Sequence, residues 1–172
     1  MNLNAPSMRL GGLHQAWIYA TGTLLVLSGA LWLLFHYFVR IPGEFGDRAH
    51  VLEPWWLVIH GISAAAFLVG FGSVLPGHVR RAWNGRRNRI SGGVFFGLLA
   101  LLALSGCALY YTGDEAARAA VSVLHWGGGL GAPAIMGWHV WRGRAWRRIR
   151  AEAAAPMEAA EAEPVVRLVR KS

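Results

Sequence analysis

The sequence predicts an all-α fold, an integral membrane four-helix bundle with both the N- and C-termini cytoplasmic. Hydrophobic residues fill 55% of the 172 positions and charged residues only 15%, a composition outside that of ordinary soluble domains. Four stretches, 10–39, 54–79, 90–113 and 119–141, contain no Asp, Glu, Lys or Arg, and each is longer than the roughly 20 residues that cross the hydrocarbon of a bilayer. The arginines gather between the second and third stretches and after the fourth, which marks those segments as cytoplasmic.

The first span is expected over 13–39. It is too long and too rich in polar and aromatic residues for a signal-peptide core, and no small-residue cleavage site follows it, so it is expected to stay. The second is expected over 54–77, with Pro76 and Gly77 ending or kinking the helix just before His78. The third and fourth fall at 91–112 and 119–141. Burying four such helices on all sides in a soluble domain would leave too little polar sequence to cover them.

Arg80, Arg81, Arg86, Arg87 and Arg89 lie between spans two and three, and Arg142, Arg144, Arg147, Arg148 and Arg150 follow span four. The opposite loops carry Glu44, Asp47, Glu53, Asp114 and Glu115 against Arg40, Arg48 and Arg118. The net charge of +8 is therefore a topology signal of a multi-pass protein. Anionic lipid is its secondary partner and nucleic acid is not expected. Residues 1–150 form the transmembrane domain, while 151–172, alanine-rich, acidic and then basic, reads as a mobile cytoplasmic tail. The single Cys107 lies inside span three, which excludes a disulfide, a thiolate cluster or a covalent c-type haem within this chain and leaves a packing role.

The two halves look duplicated. LLVLSGALW in span one matches LLALSGCALY in span three with the Ser-Gly pairs in register, and GHVRRAW after span two echoes WHVWRGRAW after span four. Two hairpins about a pseudo-twofold axis would make spans two and four parallel, and Ser28, Gly29, Ser105 and Gly106 would permit close helix approach.

Histidines are the chemically informative residues, because an ionisable side chain in hydrocarbon needs a partner, a cavity or a metal. His125 and His139 are 14 residues apart, which returns them to nearly one helix face with a separation of about 21 Å along the axis. His60 lies seven residues after Glu53 and His125 seven after Arg118, so the two share a depth on parallel helices near the non-cytoplasmic surface. Two imidazoles meeting across a ring system suit a haem, whereas zinc would want about four ligands at one depth. At the cytoplasmic level His139 has two candidate partners. His14, five residues after Arg9, matches its depth; His78 is favoured by the repeat but lies about 27 Å from His60 along the axis. The faces carrying Trp17, Ile18, Thr21, Leu25 and Ser28 in span one, and Gly128, Gly129, Ala132 and Met136 in span four, would suit a flat macrocycle. His36 and His50 read as interfacial or solvated, or as aids to a quinone or redox partner. Trp55, Trp56, Trp126, Trp138 and Trp141 read first as an interfacial belt.

These residues together resemble the bacterial four-helix di-haem cytochrome b superfamily, which includes bacterial cytochrome b561, formate dehydrogenase gamma subunits and nickel-hydrogenase cytochrome b subunits. The resemblance covers residues 9–148 and rests on Arg9, His14, Ser28-Gly29, His60, Arg89 with Ser91-Gly92, His125 and His139. It implies two b-type haems, an outer one on His60 and His125 and an inner one on His14 and His139; His78 lies outside that pattern as an additional candidate ligand. It also implies a bacterial inner-membrane location, a quinone near one haem, commonly the cytoplasmic one, and a periplasmic or membrane redox partner. The expected activity is electron transfer between the quinone pool and that partner or a small oxidant or reductant. An electron-transfer subunit is expected before a stand-alone enzyme of superoxide oxidase type. The competing class is a haem-free scaffold or assembly subunit, or a small transporter using its histidines as proton carriers; the spans contain no acidic residue to favour transport.

Overall fold

A computed structural model describes residues 11–86 and 88–169, so Arg9 and Arg87 lie outside the described residues. Four long helices dominate: α1 (Gly12–Tyr37), α2 (Glu53–Val74), α4 (Arg89–Tyr111) and α5 (Glu115–Val169), with a π-helical turn (Leu75–Val79) and a short α3 (Arg80–Asn84) carrying α2 onward. By length and composition, Gly12–Tyr37, Glu53–Asn84 and Arg89–Tyr111 are apolar enough to cross a membrane. The uncharged stretch of α5 is less apolar, because Gly127, Gly128, Gly129, Gly131 and Gly137 dilute its leucines and tryptophans.

The helices pack as two antiparallel hairpins, α1 on α2 and α4 on α5, with far sparser contact between hairpins. This is the arrangement that the sequence repeat anticipates. In the first hairpin a Cβ at Gly22 would stand 3.3 Å from the Phe67 ring, and one at Gly70 would stand 2.5 Å from Trp17. Trp17 also donates its indole N–H to the Ala66 carbonyl at 3.0 Å. In the second hairpin Gly128 admits Leu98 and Leu102. Small residues bring the backbones close enough for dispersion to hold helices that share no hydrophobic driving force in lipid. Trp17 and Gly128 thus take part in packing within each hairpin, whereas Gly129 meets no side chain within 4 Å among the described residues.

Burial is inverted relative to a soluble protein. Ser28, Ser63, Ser91 and Ser105 are buried, while the mid-helix residues Ile62, Val69 and Leu104 are 67%, 72% and 71% exposed. An apolar exterior around small polar contacts is a surface for lipid. Cys107 lies on that exposed exterior and not in a packed interface.

Of the two outcomes expected at Pro76 and Gly77, an end or a kink, the helix does not end. The missing N–H and the ring are absorbed by the π-helical turn Leu75–Val79, and the chain continues helically to Asn84. It then reverses through Arg86 and Asn88, both in the left-handed region with φ of 51° and 50°. α5 also runs past the expected span, because its alanine, glutamate and arginine residues are strong helix formers. The segment 151–169 is accordingly helical. Asp114 starts this helix by accepting the Ala117 N–H at 2.7 Å. Arg142 and Arg150 stack over Trp138 and Trp146.

The loop between α1 and α2 is tied by a two-residue antiparallel ladder, β1 (Arg40–Ile41) with β2 (Arg48–Ala49), and by the side chain of Glu53. His36 Nδ1 meets one carboxylate oxygen at 2.7 Å and Arg40 donates to the other at 3.3 Å. His36 stacks on Trp32 with ring centres 4.6 Å apart. His50 is engaged locally, accepting the Leu52 N–H at 3.1 Å. Because the Glu53 side chain is only 12% exposed, Glu53→Ala is expected to lower stability by about 1–3 kcal/mol. Thermal unfolding in detergent checks this, and Glu53→Gln should recover part of the loss.

Candidate functional site

The site grows from three Ser-Gly dipeptides, each packed against one histidine of the neighbouring helix. Ser28-Gly29 on α1 faces His60 on α2: a Cβ on Gly29 would stand 2.9 Å from the imidazole Cε1, and Ser28 Oγ is 3.4 Å from Nδ1. Ser105-Gly106 on α4 faces His125 on α5, with 3.2 Å of clearance at Gly106 and 2.9 Å between Ser105 Oγ and His125 Nδ1. Ser91-Gly92, also on α4, faces His139, with 3.5 Å at Gly92 and 3.2 Å between Ser91 Oγ and His139 Nδ1. Glycine lets the ring lie against the helix backbone, and the serine engages the nitrogen nearer that backbone.

His60 and His125 are brought together, as their matched depths predict. Their ring centres are 6.2 Å apart with planes at 80°. When two imidazoles bind one metal from opposite sides, each metal–nitrogen bond is about 2 Å and each nitrogen lies about 1 Å from its ring centre, so the centres sit about 6 Å apart. The observed spacing fits that requirement. So does the hydrogen bonding, since His60 Nδ1 donates to the Leu25 carbonyl at 3.0 Å and His125 Nδ1 meets Ser105, leaving Nε2 on each ring for a metal. Metal-binding histidines are usually oriented in this way through the other nitrogen. That these serines engage the imidazoles is not part of the sequence reading, which gives both to close helix approach and Ser28 also to a macrocycle face; their recurrence before glycine at matching repeat positions is the available signal.

The inner histidines are not gathered in the same way. His139 stacks on Phe95 with ring centres 5.9 Å apart and is surrounded by Ser91 and Asn88. His14 is exposed and makes its bond through Nε2, 3.1 Å from Ser73 Oγ. The 77-residue offset that superposes Ser28 on Ser105 also superposes His14 on Ser91, so the two hairpins exchange histidine and serine at this level. His78 lies on the π-helical turn as an ionisable neighbour of His139, with its Nδ1 buried and without a hydrogen-bond partner among the described residues. Trp56, one turn from His60, likewise buries its indole nitrogen unpartnered. No rings of His14 and His139 are in contact among the described residues. Nor do these residues group three or more His, Cys, Asp or Glu around one point where a metal ion alone would bind.

The donor set is thus one pair of imidazoles, His60 and His125, with ring centres 6.2 Å apart, and a third, His139, with two candidate partners. The pair would suit a metal whose remaining coordination comes from a macrocycle. No protein-family profile, curated protein or solved structure matches the chain.

Proposed function

We propose that this chain is a membrane-bound di-haem b-type cytochrome that passes electrons between the quinone pool and a periplasmic redox protein or a small oxidant or reductant. The observation that carries the proposal is the His60–His125 pair, with ring centres 6.2 Å apart and Nδ1 engaged on both rings. A haem held by His60 and His125 would supply one-electron exchange. His60 and His125 would hold the outer group. His139 would hold the inner one, together with His14 or His78. Resemblance to the bacterial four-helix di-haem cytochrome b superfamily supports the same assignment and favours His14.

The proposed setting is a bacterial inner membrane crossed four times, with 119–141 as the fourth span and both ends cytoplasmic. The arginines on α3, in the turn before α4 and along α5 beyond Trp141 support that orientation, against the acidic residues Glu53, Asp114 and Glu115 at the other end. A quinone would be served at the cytoplasmic level, where His78 and the exposed His14 stand near the bundle end.

The decisive experiment is a reduced-minus-oxidised visible spectrum of the purified protein after expression with ample haem. A b-type band supports the proposal; its absence overturns it and leaves the haem-free scaffold or transporter class. The inner ligand is decided by paired variants. His14→Ala is expected to remove the inner haem and His78→Ala to retain it, and the opposite result assigns the ligand to His78.

A further inference from the structure

The four serines that touch histidines have their own protons committed elsewhere. A hydroxyl donates one hydrogen bond and must otherwise accept. Ser28 donates to Leu25 O at 3.1 Å, Ser105 to Leu102 O at 3.2 Å, Ser73 to Gly70 O at 2.7 Å and Ser91 to Asn88 Oδ1 at 2.5 Å. Each serine oxygen therefore accepts from its histidine, which fixes the ring nitrogen that carries the proton. For His60 the Leu25 carbonyl imposes the same choice without the serine. His139 differs, because among the described residues no backbone carbonyl is hydrogen-bonded to its Nδ1. Its neighbours there are Ser91 Oγ at 3.2 Å, an acceptor, and Asn88 Nδ2 at 3.4 Å, a donor whose shorter bond, at 3.1 Å, goes to the His139 carbonyl.

We propose that Ser91 and Asn88 form a tautomer lock on His139, in which Asn88 takes the Ser91 proton so that the Ser91 oxygen holds His139 as the Nδ1–H form and leaves Nε2 basic. Ser91 is wholly buried. Asn88 stands just before α4 in the left-handed conformation that asparagine tolerates, and its amide reaches both Ser91 and His139 on α5. Ser91 and Asn88 are positioning residues: they act through His139 and set which nitrogen it presents. Their importance for an inner haem rests on the proposed function, but the tautomer itself does not.

The test uses full-length protein in lipid nanodiscs, prepared without haem and labelled with nitrogen-15 in the histidine rings. His139 is expected as Nδ1–H. Ser91→Ala leaves the Asn88 donor as the closest neighbour, so His139 should convert to Nε2–H. Asn88→Gly frees the Ser91 proton and should cause the same conversion, while Asn88→Asp, which keeps an acceptor for Ser91, should preserve Nδ1–H. Ser28→Ala should leave His60 as Nδ1–H, because Leu25 holds it. An Nε2–H signature for His139 in the parent protein, or Nδ1–H persisting in both Ser91→Ala and Asn88→Gly, overturns the lock. In haem-loaded protein Ser91→Ala should also raise the inner midpoint potential, since an imidazole without a hydrogen-bond acceptor at Nδ1 is a weaker ligand to oxidised iron. Failure to take up haem would count against the proposed function and leave the nitrogen-15 result to decide the lock.

Discussion

On the proposed di-haem assignment, replacing His125 with alanine is expected to abolish one haem centre and spare the other, lowering the haem-to-protein ratio by about half. His60→Ala should remove the same centre, and His139→Ala the other one. The prediction follows from depth. His60 and His125 meet at one level with ring centres 6.2 Å apart, whereas His139 lies about 21 Å further along α5 by helix rise. Each variant removes a ring from a histidine–serine contact whose serine keeps its own bond to Leu25, Leu102 or Asn88. No buried hydroxyl proton is orphaned, and the bundle should survive. Redox-difference spectra at graded potentials measure the outcome. If His60→Ala and His125→Ala removed different centres, or either removed both, the paired-depth arrangement would be wrong.

The outer pair was legible because it depends on quantities a sequence carries: constant helix rise, the positions of Glu53 and Arg118, and the parallel run of two helices that a repeat requires. The hairpin architecture was legible for the same reason, through the Ser-Gly register. What escaped depends on rotation about helix axes, which hydrophobicity cannot set when every face is apolar. Trp17, Ile18 and Thr21 read as a smooth wall, yet Trp17 packs on Gly70 and bonds Ala66. Ser91 read as part of a motif, but its meaning lies in Asn88, whose side chain is placed by a left-handed turn. Pro76 reads as an end or a kink; the structure has a π-helical turn there and the helix continues. The inner ligand stayed contested because that turn moves His78 out of the regular α-helical phase on which the repeat argument depends.

The three glycines beside the histidines give a graded series whose sign clearance decides. In an unhindered helix, Gly→Ala stabilises by about 0.5–1 kcal/mol through lost chain entropy. Gly61 and Gly97, with nothing within 4 Å of an added Cβ, should show that gain. At Gly92 the Cβ would stand 3.5 Å from His139, an ordinary contact, and Gly92→Ala should be neutral or mildly stabilising. At Gly106 the 3.2 Å approach to His125 requires a small ring shift and should cancel the gain. At Gly29 the added carbon would lie 2.9 Å from His60 Cε1 and 3.1 Å from Nδ1, too close without moving the ring or separating α1 from α2. Gly29→Ala is therefore expected to destabilise by about 1–3 kcal/mol, the usual cost of overfilling a packed contact. It should also disturb the outer haem spectrum, because His60 cannot yield without losing its Leu25 bond or changing its approach to His125. Gly29→Leu should abolish that centre. Thermal unfolding in detergent together with haem content tests the order Gly29, Gly106, Gly92. Equal effects at all three would mean that helix packing, and not the fit of each imidazole against its glycine, limits the bundle.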